Sequence, residues 1–86
     1  MLKRSTVCFA ITHAASGAVV IPDLQIETTF DVPPDSSEDD QHMAAVSAAF
    51  PKVPAELAGR PDGAEIYANR DEHSIDTILI IEHPMH

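Results

Sequence analysis

Hydrophobic and polar positions alternate with a period of two along the first third of the chain. Residues 5–13, Ser-Thr-Val-Cys-Phe-Ala-Ile-Thr-His, are rich in β-branched and aromatic types. That period puts Val7, Phe9 and Ile11 on one face of a strand and the small residues Cys8 and Ala10 on the other. Ala14-Ala15-Ser16-Gly17 reads as a hairpin turn, in which Gly17 takes positive φ without steric cost. A second extended run goes from Ala18 to Phe30. Pro22 removes a ladder donor, so this strand is expected at a sheet edge or with a bulge. Beyond it, Leu24, Ile26, Thr28 and Phe30 share one face, and Asp23, Gln25, Glu27, Thr29 and Asp31 the other. That pattern predicts a half-buried strand with an acidic solvent face.

The period lengthens after Pro33-Pro34. Ser37 with Asp40 three residues later approximates a capping box, and acids in the first turn complement a helix dipole. Met43, Val46 and Phe50 give the expected buried stripe, the intervening alanines supply propensity, and Pro51 is expected to stop the helix. Residues 51–63 read as an ordered crossover, with a short helical turn over Pro54–Gly59. Ala64–Arg70 alternates weakly and is expected as a strand, with Ile66 and Ala68 inward and Glu65, Tyr67 and Asn69 outward. Asp71–Ser74 is expected to turn. The continuous apolar run Thr77–Ile81 predicts a strand covered on both faces or central in its sheet.

The order β-β-α-β-β predicts an α+β fold over a single domain, residues 1–86: a small four-stranded antiparallel sheet with one main helix packed on one face. The strands before residue 13 and after residue 76 are the expected central pair. The other sheet face is expected to be partly apolar and so to invite a homodimer or a partner protein.

Charge sharpens this picture. The chain carries 14 acidic and 5 basic residues, a net charge of −9. No basic residue falls between Arg4 and Lys52, whereas Asp23, Glu27, Asp31, Asp35, Glu38, Asp39 and Asp40 all lie there. One sign of charge over half the chain makes a field that attracts cationic partners and repels phosphates and anionic membranes. That charge argues against direct nucleic-acid binding, and the scarcity of aromatic residues, with no Trp, argues against base-stacking platforms. The acids lack the alternating spacing, the Gly and the terminal Glu of a calcium loop.

Cys8 is the only cysteine, which excludes an intramolecular disulfide and a cysteine-based zinc cluster and fits a reducing, cytoplasmic setting. The basic Met1–Arg4 stretch precedes an apolar run of only five residues, Val7–Ile11, short of the roughly 7–15 of a secretory core. It is expected as a first strand. No stretch has the length of a transmembrane helix.

Five histidines, His13, His42, His73, His83 and His86, are many for 86 residues. His83 and His86 with Met85 offer two imidazoles and a thioether for copper or nickel, but Pro84 excludes a helical geometry and surface roles are the simpler expectation. Cys8 and His13 lie an odd separation apart on one strand, so they face opposite sides. Glu72-His73-Ser74 is expected as an exposed tip without supporting groups. With no phosphate loop, nucleophile elbow or dinucleotide turn, no catalysis and no cofactor is expected.

The leading expectation is a small acidic protein-binding module, an inhibitor or decoy that occupies the basic surface of a nucleic-acid-handling protein. Its seven acids are the expected partner-binding residues, since carboxylates accept bidentate bonds from Arg much as phosphates do. In size, charge and economy of fold it resembles the small acidic inhibitors of phages and mobile elements, anti-CRISPR proteins among them. The alternatives are a structural subunit that assembles through the sheet, with Thr6, Cys8, Ala10 and Thr12 in the interface, and metal binding by the histidine tail.

Overall fold

The computed structural model describes residues 1–84, and Met85 and His86 lie outside it. Three strands, β1 (Leu2–His13), β2 (Val19–Asp31) and β3 (His73–His83), form one antiparallel sheet in the order β2-β1-β3. Between β2 and β3 the chain is helical: α1 (Glu38–Ala49), a 3₁₀ turn (Phe50–Lys52), α2 (Val53–Ala58), α3 (Gly63–Ala68) and a second 3₁₀ turn (Arg70–Glu72). The fold is α+β.

The hairpin follows its sequence pattern closely. Val7, Phe9 and Ile11 of β1 and Ile21, Leu24 and Ile26 of β2 are buried in one cluster with the helices. Burying each such side chain contributes about 1.5–3 kcal/mol. Ser5 and Thr28, cross-strand partners, extend the buried face, and among the described residues no buried side-chain polar atom lacks a hydrogen-bond partner. Gly17 has φ of 73°, as its turn requires. β2 is an edge strand, and its register with β1 shifts between Phe9/Leu24 and Ile11/Ile21, beside Pro22.

Four expectations are corrected. First, Ala64–Arg70 is not a strand. Residues 63–68 form α3 with Ile66 buried, so the sheet has three strands rather than four. The reason is Gly63: a Cβ there would lie 1.6 Å from the Leu57 carbonyl oxygen, so only glycine lets α3 start against the backbone of α2.

Second, Pro51 does not end the helical path. It sits at the start of a 3₁₀ turn, and Pro54 near the start of α2, where a missing N–H breaks no helical bond. Third, the buried stripe of α1 is Ala45 and Ala49 with Val46 half-buried, continued by Val53 and Leu57. Met43 and Phe50 are 69% and 49% exposed. Alanines bring the helix close to the sheet, which leaves the longer side chains outside. The cap itself is as expected: Ser37 Oγ accepts from Asp40 N–H at 3.1 Å.

Fourth, β1 rather than a β1/β3 pair is central, and β3 is an edge. β3 also begins at His73, so Ser74 is strand and only Asp71 and Glu72 turn. Its apolar run is uncovered, with Ile78, Leu79 and Ile81 at 53%, 54% and 41% exposure. The helices lie chiefly over β2 and β1, and only Ile75 and Ile80 of β3 pack against the core.

Candidate interaction surface

Period two on β2 sends Asp23, Glu27 and Asp31 to the sheet face opposite the helices, and all three are exposed. Positions four apart on a strand are separated by about 13 Å, so the acids form a column about 26 Å long. The chain turns at Pro33-Pro34, and Asp35, Glu38, Asp39 and Asp40 follow, all exposed at the entry to α1. Asp31 and this second group are joined by a short linker at one end of the molecule. Asp23 stands at the far end of the column.

Among the described residues, two of the seven acids have an ammonium or guanidinium group within 4.0 Å. The N-terminal ammonium donates to Asp31 at 2.7 Å and to the Val32 carbonyl at 2.6 Å. Its hydrogen bond and its charge hold the Asp31 carboxyl below the usual range. Arg4 lies 3.5 Å from Glu27. Asp23 accepts from Gln25 Nε2 at 2.9 Å. Glu38 has His42 at 3.8 Å one turn away. The remaining acids at the start of α1, Asp35, Asp39 and Asp40, have no cationic group within 4.0 Å among the described residues.

Next to this column, Cys8 is buried on the same sheet face. Burial pushes its thiol above the ordinary value, and the Asp23 charge and hydrogen bonding to Asp23 push it further. A neutral, buried thiol is a packing group rather than a nucleophile.

The molecule has a different character at β3. Leu79 and Ile81, register partners of Cys8 and Thr6, make that side of the open face apolar. Around the edge, a cleft of about 420 Å³ opens between α2, α3 and the strands, walled by Ile11, Val53, Leu57, Ile66 and Ile75. At its mouth Arg70 lies 4.7 Å over the Tyr67 ring and donates to the Tyr67 carbonyl at 3.0 Å. The cleft can take an apolar group, and Tyr67, Arg70 and His73 supply the polar part of its lining.

Sequence reasoning missed the end of the β1–β3 ladder. His13 and His73 are direct register partners, with ring centroids 5.3 Å apart and planes at 83°. His73 Nδ1 is 2.7 Å from the Asn69 carbonyl, and Glu72 is 4.0 Å from His13 Nε2. The expected exposed tip is therefore a supported junction. The signal was present in two histidines at the end of one strand and the start of another, but it became legible only with the antiparallel register. At the other end of the ladder, His83 Nε2 bonds Thr6 Oγ1 at 2.6 Å. The remaining groups of the expected tail site, Met85 and His86, lie outside the described residues. Among those residues no three His, Cys, Asp or Glu side chains are grouped, as placed, to hold a metal ion. No helix among them is long and apolar enough to cross a membrane.

Comparison with protein families, with curated proteins and with solved structures returns no match for this chain.

Proposed function

We propose that this chain is a small, non-catalytic protein-binding module whose acidic surface seats a cationic surface of another protein. One observation carries the reading: all seven acids of the stretch without bases are exposed, and among the described residues only Asp31 and Glu27 have an ammonium or guanidinium group within 4.0 Å. An exposed carboxylate without a partner is a free acceptor for the guanidinium or ammonium groups of another protein. The concrete form is an inhibitor or decoy directed at a basic, nucleic-acid-handling protein, where the carboxylates take the place of phosphates.

The test replaces Asp35, Glu38, Asp39 and Asp40 with Lys. Wild type is expected to capture a basic protein from lysate and release it at about 1 M salt, where the Debye length falls to about 3 Å. The variant is expected to capture none of it. Equal capture by both would overturn the reading.

A second reading is self-assembly along β3, favoured by the exposure of Ile78, Leu79 and Ile81 on an edge strand. Light scattering decides it: a dimer that Leu79→Lys converts to monomer would support it, and a monomeric wild type would end it.

A further inference from the structure

We propose that His13, His73 and Glu72 form a binding site for one zinc ion, which ties the end of β1 to the start of β3. Three features carry the proposal. The first is backbone placement. His13 and His73 face each other across the antiparallel ladder, and Ala14 N–H donates to the Glu72 carbonyl at 2.8 Å in the adjoining step. His13 is fixed on its other side by the hairpin, through its N–H to the Ala18 carbonyl at 2.8 Å. Two imidazoles on register partners can converge on one point without backbone movement.

The second feature is ring geometry. With zinc–nitrogen bonds of about 2.0–2.1 Å and a tetrahedral angle, two chelating imidazoles have centroids about 5 Å apart. These rings stand at 5.3 Å but pack edge to face with planes at 83°, so the two imidazoles are within reach of one ion, and the His13 ring must turn to present its lone pair. With Nδ1 of His73 donating to the Asn69 carbonyl at 2.7 Å, Nε2 keeps its lone pair, the tautomer a ligating histidine needs.

The third is charge. The cleft beside the pair, about 270 Å³, is lined by Asp62 and Glu65 as well as Glu72, on a chain of net charge −9. Such a cleft concentrates cations. Two imidazoles and a carboxylate suit zinc and leave a fourth position for water.

As placed, the side chains do not yet close on an ion. Closure takes rotation of His13 and Glu72. The His13 side chain is held by a 3.4 Å contact to Ser16, by edge-to-face packing on the His73 ring and by the 4.0 Å approach of Glu72, whose own side chain is 65% exposed. Exposed side chains change rotamer within nanoseconds.

The test is a stepwise titration of the full chain with ZnCl₂, followed by long-range proton–nitrogen NMR of the histidine rings and by calorimetry. One equivalent of zinc is expected to shift the His13 and His73 ring nitrogens together. His13→Asn and His73→Asn should each weaken binding by about tenfold or more, the scale on which lost supporting partners already act. Glu72→Gln should weaken it less, and His83→Asn should leave it unchanged. Zinc that shifts only the His42, His83 or His86 rings would overturn the proposal. So would the absence of saturable uptake by wild type, a reading that needs no variant to fold.

Discussion

The two edges of this sheet are built from similar apolar residues and end in opposite states. On β2, Ile21, Leu24 and Ile26 are at most 3% exposed, and the positions between Leu24 and Asp31 that point away from the core are polar. On β3, Ile78, Leu79 and Ile81 are the exposed ones. Two things separate them: Leu79 and Ile81 point to the open face, where β2 carries polar residues, and the helical layer lies chiefly over β2 and β1, so that even the inward Ile75 and Ile80 of β3 are only partly buried. Strict alternation states which face is covered, because a polar residue marks each uncovered position. A continuous apolar run carries no such mark. The contrast also divides the molecule into an acidic edge suited to a cationic partner and an apolar edge suited to a neutral one.

The sharpest way to break that contrast is to delete the same side chain from both edges. Leu24→Ala should cost about 2–5 kcal/mol in urea unfolding, whereas Leu79→Ala should stay within about 0.5 kcal/mol. Equal losses would mean that β3 is covered after all. Next in size is Gly63→Ala, which places a methyl group against the Leu57 carbonyl. It is expected to cost about 1–3 kcal/mol or more through forced separation of α2 and α3, read by the same method. An unchanged midpoint would show that α3 is not fixed on α2 as described.

Ser37→Ala removes the cap of α1 at the acidic end and should cost about 1 kcal/mol, with Ser37→Asp largely restoring it. The smallest effect is expected at Asp31. Its carboxyl titrates lower in the folded chain than its ordinary 3.8, so the folded form binds that proton less readily than the unfolded form. The stabilisation is present above the ordinary value and is lost as pH falls through the lowered one. Asp31→Asn should therefore lower stability slightly at neutral pH, where the ion pair is formed, leave it nearly unchanged at acid pH below the lowered value, and so flatten the acid limb between the two.

These contrasts also mark how far the chain could be read. The hairpin was legible because period two, Gly17 and Pro22 each carry a local signal. So was the cap at Ser37. So was the short helical turn over Pro54–Gly59, found as α2. The stretch from Gly63 to Ala68 was not, since α3 depends on a contact between Gly63 and Leu57 that no local pattern displays. α1 was found, but its buried face was misjudged: long apolar side chains were expected inward, and alanines turned out to make the contact. The seven acids were legible as an exposed set. The pairing of Asp31 with the N-terminal ammonium and the meeting of His13 with His73 needed the register.

The measurement that bears most directly on the central claim is hydrogen exchange of the chain, free and bound to a basic protein it captures. Protection on binding is expected to gather at residues 23–31 and 35–40. Protection confined to residues 73–83, with the acidic edge exchanging as in the free chain, would contradict it and assign the partner to the apolar edge.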